Sequence, residues 1–207
     1  MKALPRVKVC GLTTAEDSQA AREAGAEALG FVAVRDSPRA VGAAHVAGIC
    51  ADLPARTVRI GVFVDSSPQE VQAFAREASL TAVQLCGAER VADFSDFPLP
   101  ILRRVAADGT GLEEIVSWRA LAWGFVIDHP ASAGGSGRRV DEAVARILAE
   151  TAPCLLAGGL DEDNVAAAVR AVKPRGVDVS SRLERSPGRK DHARLRSFVT
   201  RAIEELP

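Results

Sequence analysis

The sequence predicts an α/β protein, a single parallel (β/α)8 barrel spanning residues 1–207. Short apolar strands alternate with amphipathic helical segments from end to end, and parallel strands need such crossovers. Eight strand–helix units fit in 207 residues, near the lower end of the size range for a closed eight-stranded barrel. No Pro- or Ser-rich linker divides the chain. A doubly wound open sheet is the other arrangement that this alternation allows.

The elements follow in order. Val7–Cys10 reads as the first strand, with Thr13 and Glu16 spaced as a capping box for a helix over Ala15–Ala24, which stops at Gly25. Ala28–Val34 is the second strand, and Ser37-Pro38-Arg39 turns into a helix near Val41–Ala51. Val58–Val64 is the third. Ser67-Pro68-Gln69-Glu70 then starts a helix, with an N-cap serine, proline at the first helical position and glutamate at the third. Ala82–Leu85, Ile101–Val105 and Trp123–Ile127 are strands four to six, the last ending at Asp128, with a short helix around Glu113–Trp118. A flexible loop over Pro130–Arg138 precedes a helix over Val140–Ala149. Cys154–Ala157 is the seventh strand, closed by Gly158-Gly159 and followed by a helix from Asp161 to about Val172; Gly176–Val179 is the eighth. The last helix has the clearest period, with Leu195, Phe198, Val199, Ala202, Ile203 and Leu206 on one face and Arg194, Arg196, Arg201 and Glu204 on the other.

Composition narrows the function. Hydrophobic residues make up 47% and charged ones 26%, which is globular rather than disordered. A net charge of −1 argues against nucleic acid and anionic membranes as partners. The absence of tyrosine disfavours base-stacking surfaces. No apolar run is long enough to cross a bilayer, and charges and Pro5 interrupt any signal-like segment at the start. Cys10, Cys50, Cys86 and Cys154 are scattered without a CxxC pair, which suits reduced thiols in a cytoplasm. The three histidines have no metal-ligand spacing, so no metal is expected.

In such a barrel the active site lies at the C-terminal ends of the strands. Cys10, at the end of the first strand before Gly11, is the candidate general base; a small buried cysteine is the plainer alternative. Asp128 follows an apolar run, and partial desolvation would raise its pKa and suit a general acid, although a turn or N-cap aspartate has the same pattern. Gly158-Gly159 and Ser180-Ser181 follow strands seven and eight, where barrels commonly bind phosphate. There a helix opening near Asp161 would add its positive end. Arg39 can clamp a carboxylate bidentately, or lie solvated at a helix start. Asp178 can orient a substrate hydroxyl or be a buried structural carboxylate. Gly134-Gly135-Ser136-Gly137 has neither dinucleotide nor Walker spacing and reads as a flap or a disordered connection.

Taken together, these motifs resemble the phosphoribosylanthranilate isomerase family. The resemblance runs through Lys8-Val9-Cys10-Gly11-Leu12-Thr13 with Glu16-Asp17, then Gly30-Phe31-Val32 with Ser37-Pro38-Arg39, and Gly61-Val62-Phe63-Val64. It continues through Val83-Gln84-Leu85 with Gly87 and Glu89, and Leu156-Ala157-Gly158-Gly159-Leu160 with Asn164-Val165. It ends in Gly176-Val177-Asp178-Val179-Ser180-Ser181 with Glu184, Pro187-Gly188 and Lys190-Asp191. This implies a TIM-type barrel that carries out an Amadori rearrangement of N-(5-phosphoribosyl)anthranilate without cofactor or metal. Asp128 would be the acid and Cys10 the base, helped toward thiolate by Lys8 and the helix after Thr13. Arg39 would hold the anthranilate carboxylate, and the Gly-Gly and Ser-Ser loops the phosphate. Three positions depart from the family pattern: Cys86 stands in place of histidine, Arg182 in place of glycine, and no Phe-Asp-Trp follows the Gly134–Gly137 run. Arg182 can add a phosphate contact or crowd the loop. The rival expectations are a histidine-pathway-type sugar isomerase, which has an aspartate in place of Cys10, and a non-catalytic barrel that binds a phosphorylated ligand. The expected partner is a small phosphorylated molecule, and the expected assembly a monomer or homodimer.

Overall fold

Eight parallel strands pair in chain order, and the eighth returns to pair with the first, closing a barrel. The computed structural model describes residues 3–130 and 138–207, so the predicted 134–137 flap lies outside the described residues. The strands are β1 (Val7–Val9), β2 (Ala28–Val32), β3 (Val58–Phe63), β4 (Ala82–Leu85), β5 (Ile101–Ala106), β6 (Gly124–Asp128), β7 (Cys154–Leu156) and β8 (Gly176–Val179). The helices outside them are α1 (Ala15–Ala24), α2 (Ala43–Cys50), α3 (Pro68–Glu77), α4 (Gly111–Trp118), α5 (Glu142–Thr151), α6 (Val165–Val172) and α7 (His192–Glu205). Beyond β8, an antiparallel hairpin pairs β9 (Glu184–Ser186) with β10 (Arg189–Lys190).

Strand periodicity sorts the side chains into two cores. Residues of one parity, among them Val9, Phe31, Leu85, Ile101 and Ile127, pack outward against the helices. Residues of the other parity, Ala28, Ile60, Ala82, Leu102, Val126 and Leu155, fill the lower barrel. Continued upward by steps of two, this second set becomes polar on five strands: Lys8 and Cys10 on β1, Gln84 and Cys86 on β4, Arg104 on β5, Asp128 on β6, Asp178 and Ser180 on β8. On β2, β3 and β7 it stays apolar, with Val32, Val62 and Ala157, so an apolar base leads to a mouth that is polar on one part of its wall.

Three elements differ from the sequence expectation. The first helix is capped by Thr14, whose side chain accepts from the backbone N–H of Asp17 at 3.2 Å, and not by Thr13. Thr13 is drawn away because its hydroxyl donates to the carbonyl of Gly188 in the hairpin turn at 2.6 Å. The helix expected from Asp161 begins at Val165, because the Asp161 carboxylate accepts from the N–H groups of Asp163 and Asn164 and folds a polar turn first. Between β4 and β5 the connection holds only a 3-10 turn, Val91–Phe94, before Pro98 and Pro100 halt regular structure. The capping box of α3 forms as expected, with Ser67 and Glu70 exchanging both bonds.

Of the described residues, no helix is long and apolar enough to cross a membrane. The periodic face of α7 buries Leu195, Phe198, Val199 and Ala202 completely, beside α1 and α6. Replacing Phe198 by alanine should cost about 3–5 kcal/mol, a cavity plus lost transfer energy. Chemical denaturation followed by circular dichroism measures it; a loss under 1 kcal/mol would show that α7 is not part of the cooperative core.

Candidate active site

The sequence brings a thiol to the barrel mouth by simple parity. Cys10 follows β1 two residues after Lys8, on the inward face, and its N–H donates to the carbonyl of Val179 at 2.8 Å, which continues the β1–β8 ladder by one bond. Gly30 on the neighbouring strand leaves it room: a Cβ there would stand 2.7 Å from the Cys10 sulfur. The thiol is buried, and that burial pushes its pKa up, against a downward pull from Lys8.

Lys8 is completely buried and donates to an Asp178 carboxylate oxygen at 2.8 Å. Burial works against its charge, but Asp178 and Cys10 together hold the Lys8 pKa above its ordinary value. Among the described residues, neither the other, buried Asp178 oxygen nor the buried side-chain oxygen of Gln84 has a hydrogen-bond partner, and both residues line the cavity above. Asp178 is therefore an ion-pair partner with one acceptor oxygen to spare.

Asp128 ends β6 with its carboxylate accepting from the N–H of His129 at 2.8 Å. Burial raises its pKa, opposed by that hydrogen bond and by Arg104. Both Cys10 and Asp128 line one cavity of about 330 Å³ at the C-terminal ends of the strands. So do Arg39, Cys86, Gly158, Gly159, Asp178, Ser180, Ser181 and Arg182, and every sequence-predicted site residue is thereby brought to one place. Gly158 and Gly159 both have φ in the left-handed region, at 82° and 66°, and a Cβ on Gly158 would stand 3.2 Å from an Asp128 oxygen. Ser180 precedes a 3-10 turn over Ser181–Leu183 that carries Arg182. Cys86 accepts from the Gln84 amide at 3.2 Å, and burial pushes its pKa to about 12, so it remains a neutral thiol.

Arg39 is not the solvated arginine that its turn allows. Its guanidinium forks onto Glu184, Nε to Oε1 at 2.9 Å and Nη2 to Oε2 at 2.7 Å. Among the further cavity residues, Gln84 and Arg104 are polar side chains to which the sequence alone assigns no role. Gln84 is the one polar residue in the apolar run Ala82–Leu85, a signal that was available. Arg104 donates to the carbonyl of His129 at 2.7 Å, whereas its neighbour Arg103 faces outward to Glu89 and Glu114; the doubled arginine hid the parity.

On the opposite rim, after β3 and β4, three loop N–H groups are already bonded. The N–H groups of Asp65 and Gly87 donate to Glu89, and that of Ala88 to Asp65. The loop N–H donors on that side are therefore already taken, whereas Arg39 and Arg182 line the cavity toward β8.

A family model described as N-(5'-phosphoribosyl)anthranilate (PRA) isomerase matches residues 7–201. The chain belongs to the phosphoribosylanthranilate isomerase family. A relative of that name from Chromohalobacter salexigens is 42% identical over 199 residues, covering 94% of this chain and 92% of the relative. The phosphoribosyl anthranilate isomerase structure from Thermotoga maritima superposes with a TM-score of 0.88 at 30% identity, covering 97% of this chain and all of that one. A structure of the same family enzyme bound to reduced 1-(o-carboxyphenylamino)-1-deoxyribulose 5-phosphate has a TM-score of 0.85 at 30% identity, with the same coverage of both chains. The isomerase family fold therefore spans nearly the whole sequence.

Replacing Lys8 by methionine should strand the Asp178 carboxylate in the barrel and destabilise the fold by about 3–5 kcal/mol. Urea denaturation measures this, and the double variant with Asp178→Asn should recover a large part of the loss. No recovery would show that the pair does not act as a unit.

Proposed function

We propose that this chain converts N-(5-phosphoribosyl)anthranilate to 1-(2-carboxyphenylamino)-1-deoxyribulose 5-phosphate, an Amadori rearrangement in tryptophan biosynthesis. The observation that carries this reading is one cavity holding a buried thiol and a buried carboxyl group beside two phosphate-type loops. The family relationship, and the product-like ligand named for the solved relative, support the same substrate.

Asp128, protonated, gives its proton to the ribose ring oxygen, and the C1–O bond opens to a protonated Schiff base. Cys10, as thiolate, takes the proton from C2, and the electron pair moves into the iminium to form an enolamine. Tautomerisation gives the ketone, so one proton enters and one leaves without an external reductant or oxidant. Arg39 binds the ring carboxylate. The Gly158-Gly159 and Ser180-Ser181 backbone, with Arg182 at the same end, binds the phosphate. The leftover oxygens of Asp178 and Gln84 accept from sugar hydroxyls. A substrate with a phosphate at each end fits poorly, because the N–H groups of the far rim are already bonded to Asp65 and Glu89. All these residues come from one chain, so the reaction needs no second subunit.

Loss of substrate fluorescence measures turnover. Cys10→Ser and Asp128→Asn should each slow it by about 10²–10⁴-fold, since each removes a proton-transfer partner. Phosphate binding without turnover in the unaltered protein would mark a non-catalytic barrel instead. Burial raises both pKa values. The productive thiolate–carboxylic acid pair is then a minority form with a level population between the two values, because each pH step that gains thiolate loses acid in proportion. The kcat/KM profile should be flat across neutral pH, falling in acid through the pKa of Asp128 and in base through that of Cys10, above the ordinary thiol value of about 8.5. An alkaline limb below pH ~7 would contradict these roles.

A further inference from the structure

We infer that Glu184 is the positioning residue that aims Arg39 at the ring carboxylate of the substrate. This rests on the isomerase reading above, in which Arg39 meets that carboxylate. Glu184 does not line the cavity; it sits behind Arg39 on β9, with its side chain only 4% exposed. A guanidinium has five N–H groups and two edges suited to a carboxylate. Glu184 takes the side edge, Nε and Nη2, at 2.9 and 2.7 Å. The end edge, formed by Nη1 and the second hydrogen of Nη2, is left for a ligand.

The carboxylate is itself fixed on both sides. Lys190, completely buried on β10, donates to Glu184 Oε1 at 2.9 Å and to the carbonyl of Ser180 at 3.1 Å. The backbone N–H of Lys190 donates to Asp17 of α1 at 3.0 Å, and His192 meets the other Asp17 oxygen at 2.7 Å. Gly11 supplies the space that the arginine stem crosses, for a Cβ there would stand 2.6 Å from Arg39 Cδ and 2.8 Å from Ser180 Oγ. Two cations share one carboxylate, which leaves a net positive charge at the cavity edge. Burial opposes the Glu184 charge, yet the Arg39 and Lys190 hydrogen bonds keep its pKa below the usual carboxylate range. The hairpin after β8 is therefore a brace: it holds the guanidinium plane before substrate arrives, so less rotamer freedom is lost on binding.

Glu184→Gln and Glu184→Asp test this against two probes, the reduced carboxyphenylamino-deoxyribulose 5-phosphate and its phenylamino counterpart without the carboxylate. Glu184→Gln should raise KM for phosphoribosylanthranilate about 10–100-fold with kcat changed less than about 3-fold. It should weaken the first probe by the same factor and leave the second unchanged. Glu184→Asp, charged but one methylene shorter, should fall between, and it carries the same comparison if the glutamine variant does not fold. Equal weakening of both probes, or none, would overturn the positioning role. Failure of the unaltered protein to turn over phosphoribosylanthranilate would instead sink the isomerase reading, while direct binding of the two probes still reports on Glu184.

Discussion

Lys8 and Asp178 face each other across the seam where the last strand meets the first, and the polar half of the barrel is built around that contact. The two residues are register partners in the β1–β8 ladder, so barrel closure is what brings them within 2.8 Å. One residue beyond the ladder, the Cys10 N–H still bonds to β8, so the thiol leaves the seam at a fixed height. Ser180 stands on the other side of the same seam, packed against Gly11. The proposed base and the proposed phosphate loop are thus set by one strand pairing. A buried ion pair adds little to stability by comparison with apolar packing, but removing either partner leaves a charge with no solvent. Here it also ties the start of the chain to its end.

The site is asymmetric in a way that fits a substrate with a phosphate at one end and a carboxylate beside the sugar. On the β8 side, glycines with positive φ and a serine pair leave backbone exposed to the cavity, and Arg39 and Arg182 add charge. Opposite, Asp65 and Glu89 fold their carboxylates back onto the N–H groups of the loops after β3 and β4, so those donors are already taken. Asp128 lies between, its carboxylate near the Gly158 backbone. The brace of β9 and β10 backs Arg39 from outside the cavity, through Glu184, Lys190 and Asp17.

Much of this was legible in the sequence because it depends on period and position. Strand parity alone puts Cys10, Asp128, Asp178 and Ser180 on the inward face near the C-terminal ends, and turn glycines mark the proposed phosphate loops. What the sequence hid depends on long-range choices between equivalent partners. Thr13 and Thr14 are both plausible caps, and only the carbonyl of Gly188, distant in the chain, decides that Thr13 is otherwise engaged. Arg103 and Arg104 are indistinguishable until β5 assigns one to each face. The pairing of Arg39 with Glu184 spans 145 residues and has no local signature. Gln84 is the exception, since a lone polar residue on an apolar strand could have been flagged.

The central claim is that the thiol at the β1–β8 seam and the acid ending β6 address one sugar from different sides. A crystal structure of this chain with the reduced carboxyphenylamino-deoxyribulose 5-phosphate bound tests it most directly. The phosphate should lie within hydrogen-bond range of the Gly159 and Ser181 backbone, with C2 toward the Cys10 sulfur and the former ring oxygen toward Asp128. A phosphate seated on the Asp65–Glu89 rim, or a sugar whose C2 turns away from Cys10, would contradict it.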